Sequence, residues 1–357
     1  MSQHGRVVHV VGTGTIGEPL IALLCDFKEK LGFDDVTFHK RTPRIEDRAK
    51  VRNMVRRGAR LACEVKAKKG FEEMGITPAY ETHEALERAS VVIDCTPSGV
   101  GIDNKQNYYE GYKNKVLGFI AQGSEFGFGK MYARGINDKA LQPGKDQFIH
   151  VVSCNTHNLA VLIQTISLWG SNNDQEEARF LCIRRANDIS QDGKFVPAPT
   201  VGNHDDEKFG THHARDAYHL FKTLNLDLNV FSSAMKVNSQ YMHAIWFSIR
   251  LNRDITLAEV KARFHENPRV AVTEKHSANT VFSFGRDYGH YGRILSQTVV
   301  VQPTLHVRGG REVVGFCFTP QDGNSILSSV SAAAWFLDPV GYEKRIECLN
   351  PYLFDEV

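Results

Sequence analysis

The chain has 357 residues, more than one hydrophobic core usually holds, and so predicts two domains. An apolar fraction of 42% and a charged fraction of 24% suit a globular chain, and a formal charge of +2 excludes bulk attraction to nucleic acid or membrane. No run approaches the roughly 20 apolar residues of a membrane span. The start, Met1 to Arg6, carries no apolar export core, and the expected location is the cytoplasm. Seven cysteines lie singly with no C-x-x-C pair, which argues against a zinc knuckle or a dithiol centre.

Arg6-Val7-Val8-His9-Val10-Val11 is a β-branched run followed by Gly12-Thr13-Gly14-Thr15-Ile16-Gly17 and an apolar helix through Leu24 and Phe27. Further strands are expected at Val36 to His39, Val91 to Asp94, Val116 to Ala121 and Phe148 to Val152. Helical patterns fill the gaps, most clearly Ile45 to Val65 and Glu84 to Arg88. Alternating strands and helices predict an α/β unit, a Rossmann-type parallel sheet over residues 1–152. A helix is expected from Leu159 to Trp169. The texture then changes to strand-like runs at Arg179 to Arg185, Leu228 to Val237, Ala244 to Leu251, Val281 to Phe284, Thr298 to Val307 and Glu312 to Phe318. Gly309-Gly310 marks a hairpin, and Thr256 with Glu259 forms a capping box. Residues 153–322 therefore read as an α+β catalytic domain on a mixed, mainly antiparallel sheet. Asn324-Ser325 precede a small, apolar run from Ile326 to Leu337, a helix expected to pack back on the first domain within residues 323–357.

The glycine pattern follows a strand and opens a helix, the context that makes G-x-G-x-x-G a dinucleotide signature. Gly12 permits the turn, Gly14 lets the backbone approach a pyrophosphate, and Gly17 lets helix pack on strand. The second strand ends without the acidic residue that would bond an NAD ribose. His39-Lys40-Arg41-Thr42-Pro43-Arg44 offers cations instead, which points to the 2′-phosphate of NADP, with NAD still possible.

Ser153-Cys154-Asn155-Thr156-His157-Asn158 joins an apolar β-like run to a helix-like one. A thiol there sits at the positive end of a helix, where its thiolate is favoured, and is the candidate nucleophile. Candidate anion donors and bases follow at Arg184, Arg185, His204, His212, His213 and His243. Alternation along a strand points Arg184 and Arg185 to opposite faces. The histidines match no familiar metal spacing, and no metal is expected.

Gly12 to Gly17, Ser153-Cys154-Asn155-Thr156, Ile183-Arg184-Arg185-Ala186, Thr211-His212-His213 and Met242-His243 stand in the order and approximate spacing of archaeal-type (type II) glyceraldehyde-3-phosphate dehydrogenase, which the chain resembles over nearly its whole length. The resemblance implies a homotetramer of glycolysis and gluconeogenesis that oxidises glyceraldehyde-3-phosphate with NAD(P) and inorganic phosphate to 1,3-bisphosphoglycerate, reversibly, through a cysteine thioacyl intermediate. Carried over by position, Cys154 is the nucleophile and His243 the base. Ser153, Asn155, Thr156, Arg184, Arg185, His212 and His213 hold substrate and phosphate. Thr13, Thr15, Ile16, Lys40, Arg41, Thr96, Gln122 and Gly123 join the three glycines at the cofactor.

Several residues depart from the family pattern. His157-Asn158 replaces Thr-Gly, so His157 either enters the active site or fills the first helical turn. Ile245 stands where a second histidine is usual, and Pro320-Gln321-Asp322-Gly323-Asn324-Ser325 replaces His-Gln-Glu-Ser. A semialdehyde dehydrogenase type of enzyme acting on another aldehyde or acyl phosphate shares the thiol and the cofactor site. A non-catalytic NADP-binding redox sensor leaves the anion donors and His243 without a purpose. The basic segment lacks the interleaved aromatics of a nucleic-acid site.

Overall fold

A computed structural model describes residues 5–191, 193, 195–320 and 322–357; the expectations read on residues 1–4 and on Gln321 fall outside the described residues. The chain divides into two units. One comprises residues up to Lys130, Leu141–Val151 and Ser328–Asn350; the other comprises Met131–Ala140, Val152–Leu327 and Pro351–Val357.

The first sheet comprises β1 (Val7–Val11), β2 (Asp35–His39), β3 (Arg60–Cys63), β4 (Tyr80–Glu81), β5 (Val91–Asp94), β6 (Gly118–Gln122), β7 (Lys130–Tyr132) and β8 (Phe148–Val151), all in the first unit except β7, of which only Lys130 belongs there. The sheet order is β4-β3-β2-β1-β5-β6-β8-β7, and the pairings from β4 through β8 are parallel. Buried on both faces, such strands are near-continuously apolar, as Val91-Val92-Ile93 is. The order reverses between β1 and β5, the switch point outside whose carboxyl ends α/β sheets bind ligands. The long helix expected from Ile45 to Val65 is instead the helix Arg48–Arg56, a turn at Gly58 with φ +102°, and β3. Burial of Leu61, Ala62 and Cys63 beside β2 overrides the local helical pattern.

The second unit carries β9 (Gln175–Arg184), β10 (Thr200–Val201), β11 (Val230–Lys236), β12 (Ala244–Leu251), β13 (Val270–Thr273), β14 (Thr298–Val301), β15 (His306–Arg308) and β16 (Glu312–Phe318). Its order is β10-β11-β9-β12-β16-β14-β13, with β15 beside β16. The pairings β11–β9 and β13–β14 are parallel and the rest antiparallel, which bears out the expected mixed sheet. Period-two alternation turns Phe180, Cys182, Ile245, Phe247, Ile249, Val313 and Cys317 into one core, and the helix Cys154–Ser167 joins it through Leu159, Leu162, Ile163 and Ile166. The Gly309-Gly310 hairpin forms, pairing Arg308 with Glu312. Thr256 Oγ1 accepts from the Glu259 amide at 3.1 Å as the N-cap expected.

Two strand expectations fail here. Val281 to Phe284 lies in the helix Ala278–Tyr288, whose N-cap Ser277 accepts from the Asn279 amide; a four-residue apolar run does not distinguish strand from buried helix. Thr298 to Val307 is broken by a 3₁₀ turn at Gln302–Thr304, where Pro303 cannot donate to a ladder.

Gly12 has φ +97°, and a Cβ there would sit 2.9 Å from the Cys95 carbonyl; one on Gly17 would run into the Gly12 carbonyl, while one on Gly14 meets nothing within 4 Å. Gly17→Ala is therefore expected to lower stability by about 1–3 kcal/mol. Gly14→Ala should stay within about 0.5 kcal/mol of the parent. Denaturant midpoints at unchanged slope check both.

Candidate active site

In the first unit the glycine turn leads into the helix Gly17–Leu31, whose first turn receives no side-chain cap. Its leading amides, the half-positive helix end and the open space at Gly14 form a cradle that fits a pyrophosphate. Thr13 and Thr15 are buried beside it. Thr96 is held by Asp94, which accepts from the Thr96 amide at 2.9 Å and from its hydroxyl, and also from Asn104 and Tyr109. Sequence reasoning passed over Asp94 as the end of a strand. Gln122 donates to Ser329, and its buried Oε1 has no partner among the described residues. Such an acceptor lacks a donor that a carboxamide ligand can supply. Gly123 has φ +75°, and its carbonyl accepts from His150 at 2.7 Å.

The cations after β2 are not equivalent. Lys40 is nearly buried and pairs with Asp47 at 2.7 Å, and Lys50 shares that carboxylate at 3.0 Å. Arg41 is exposed, and Arg44 lies 3.6 Å from Glu46.

The thiol belongs to the second unit. Ser153 is the N-cap of its helix; its Oγ accepts from the Thr156 amide at 3.3 Å and bonds the Thr156 hydroxyl at 2.9 Å. Cys154 is thus the first helical residue, half-buried. The His157 ring bonds back to the Ser153 carbonyl at 3.0 Å, so it fills the first turn. The Cys154 carbonyl accepts two side-chain amides, from Asn158 at 2.7 Å and Asn324 at 3.0 Å. Thr319 links Asn155 and Asn158, and its amide donates to the His243 carbonyl at 2.9 Å. The helix end was expected to favour the thiolate. Burial instead pushes the thiol up to about 12; the carboxylates of Asp322 and Asp188 add to the rise, and Arg185 and Arg184 oppose it. Desolvation of an anion outweighs a dipole worth at most a couple of kcal/mol.

Arg184 is exposed at the end of β9, and Arg185, one residue on, is buried, the opposition expected from alternation. The Arg185 amide donates to His243 Nδ1 at 3.0 Å. The neutral ring therefore carries its proton on Nε2. Burial, with the Arg185 and Arg184 cations beside it, holds His243 well below its ordinary pKa. His212 and His213 begin the helix His212–Lys222 with ring centroids 4.0 Å apart. Burial lowers His212 to about 4, with Arg184 and Arg215 adding to the effect. His213 is buried with neither ring nitrogen bonded among the described residues, and burial, His212, Arg184 and His243 keep it neutral. Cys154, Arg184, Arg185, His212, His213 and His243 thus share one electrostatic neighbourhood. It combines a thiol, neutral imidazoles and an exposed guanidinium, with the two arginines acting on both the thiol and the rings. Asn158, Asp188, Thr319, Asp322 and Asn324 belong to it as well, although none was anticipated in a site role. Among the described residues no cluster of His, Cys, Asp and Glu could hold a metal, and no helix is long and apolar enough to cross a membrane.

No family model matches the chain. It is 29% identical over 320 residues, 85% of this chain and 86% of the relative, to the glyceraldehyde-3-phosphate dehydrogenase of Methanobacterium bryantii. It is 26% identical over 309 residues, 84% of each, to that of Sulfolobus acidocaldarius. Over a shorter stretch, 226 residues or 61% of this chain and 62% of the relative, it is 31% identical to glyceraldehyde-3-phosphate dehydrogenase 2 of Methanosarcina barkeri. The resemblance read from the motifs is borne out: over most of its length the chain is similar to archaeal-type glyceraldehyde-3-phosphate dehydrogenases.

Proposed function

We propose that the protein is an NADP-preferring, phosphorylating glyceraldehyde-3-phosphate dehydrogenase of the cytoplasm, working through a cysteine thioacyl intermediate. The observation that carries the reading is a thiol on the first turn of a buried helix, next to Arg184 and Arg185, which in turn act on His212, His213 and His243. The Cys154 sulfur adds to the aldehyde carbon to give a thiohemiacetal. Oxidation at that carbon leaves a thioester, which inorganic phosphate cleaves to the acyl phosphate, releasing the thiol; the steps reverse. The nicotinamide cofactor, when bound, accepts the hydride.

His243 meets this chemistry as a neutral ring with Nε2–H available as a donor to the developing oxyanion. To take the thiol proton as base, it must give up its contact with the Arg185 amide. Arg184, with its exposed guanidinium, holds the substrate's phosphate beside His212 and His213. Ser153, Asn155 and Thr156 shape the turn that presents the sulfur. Residues 12–17 would hold the cofactor's pyrophosphate, Thr96, Gln122 and Gly123 would contact the rest of it, and Arg41, with Lys40, would take the 2′-phosphate. A homotetramer fits the outer face of the second sheet, where Trp246, Leu181 and Phe316 are adjacent and incompletely buried.

Cys154→Ser should lower phosphate-dependent oxidation of glyceraldehyde-3-phosphate by at least about a thousandfold, since a hydroxyl is the weaker nucleophile. The parent should yield a trapped acyl-enzyme on mass spectrometry, and full turnover in the serine variant ends this reading. Because Lys40 is already paired with Asp47, Arg41→Ala alone should raise the KM for NADP several-fold against NAD. Lys40→Ala should add less. Steady-state kinetics with the two cofactors decides, and an unchanged ratio in the double variant removes the NADP assignment.

A further inference from the structure

The Arg185 side chain is 2% exposed, and a buried guanidinium needs opposite charge and acceptors around it. Its Nη1 donates to the Tyr241 carbonyl at 3.0 Å; its Nη2 donates to Asp188 at 3.1 Å and Asp322 at 3.4 Å. Two of these acceptors sit on left-handed backbone, Tyr241 at φ +76° and Asp322 at φ +65°. For tyrosine that conformation is a genuine outlier, and such strain concentrates where surrounding structure holds a site together. The turn is fixed from several sides. A Cβ on Gly323 would run into the Ile294 carbonyl, the Asp322 carbonyl accepts from the Ile326 amide at 3.0 Å, and Asn324 bonds both the Cys154 and Gln297 carbonyls at 3.0 Å.

We propose that Asp322 is a positioning residue of the thiol site: with Asp188 and the Tyr241 carbonyl it clamps the Arg185 guanidinium, so that Arg185 fixes the His243 ring through its main chain and leaves Arg184 to meet the substrate's anion. This deepens the proposed function and rests on it for the role of Cys154. The thiol is faced by the carboxylates of Asp322 and Asp188, the guanidinium groups of Arg185 and Arg184, and the Cys182 thiol. Asp322 raises the thiol and Arg185 lowers it. Removing the carboxylate charge leaves the Arg185 cation uncompensated beside the sulfur, and the thiolate gains.

The experiment is the pH dependence of iodoacetamide alkylation at Cys154, followed by mass spectrometry of its peptide, which needs no turnover and so stands even if the enzymatic reading fails. Asp322→Asn should move the midpoint down and raise the neutral-pH rate about tenfold for each unit moved. Asp322→Glu should restore the parent profile, and Asp188→Asn, whose carboxylate is half exposed, should move it the same way by less. A folded Asp322→Asn protein with the parent's midpoint overturns the proposal; should that variant fail to fold, an unchanged midpoint in Asp188→Asn does so. In turnover, Arg184→Gln should raise KM for the phosphorylated aldehyde and Arg185→Gln should lower kcat. The opposite split overturns the division of labour between the arginines.

Discussion

A guanidinium taken out of water organises the second unit. The effective cost of burying a charge is several kcal/mol, recovered only when opposite charge and hydrogen-bond acceptors surround it. Arg185 meets that demand with two carboxylates and a carbonyl drawn from three separate segments: the turn after β9, the loop before β12 and the turn after β16. Closing those bonds sets the positions of Asp188, Tyr241 and Asp322 together. It also points the Arg185 amide at the His243 ring. The ring's tautomer follows from that amide, and its neutrality from its own burial first and the Arg185 and Arg184 cations second.

In the first unit the corresponding constraint is steric. Gly12 and Gly17 approach backbone so closely that no side chain fits, and this draws the first helix against the parallel sheet with no side-chain cap at its start. Gly14 has no such neighbour. Of the three glycines, two therefore maintain packing, and the third keeps open the space that a pyrophosphate would take. The same separation holds among the cations after β2, where Lys40 stabilises its own loop through Asp47 and Arg41 keeps its charge for solvent or a ligand.

These distinctions mark how far the sequence could be read. Long periodic segments and glycine turns are local, so the strand-turn-helix opening, the helix after Cys154, the capping box at Thr256 and the hairpin at Gly309-Gly310 were legible. Short apolar runs were not: Arg60–Cys63 reads as helix until β2 is beside it, and Val281 to Phe284 as strand until Ser277 caps it. Spacing named Cys154, Arg184, Arg185, His212, His213 and His243 but carried no sign of which charges were spent on one another. Asp322 stood in view as a departure from the family pattern, and Asn324 as a residue before a helix. The partners that give them roles, Arg185 and the Cys154 carbonyl, lie 137 and 170 residues away in the chain.

Burial pushes the thiol up to about 12, so the thiolate is a small minority at neutral pH. Raising the thiolate population requires stabilisation that offsets the burial of the sulfur. Burial is the largest part of that barrier and the two carboxylates the next. A site that spends its buried cation on carboxylates protects the sulfur from adventitious oxidants and alkylating agents, since those react with the thiolate. In the proposed reaction the same arrangement would confine reactivity to the substrate complex, where the oxyanion that forms would draw on Nε2–H of His243. Selectivity here follows from where negative charge is already placed.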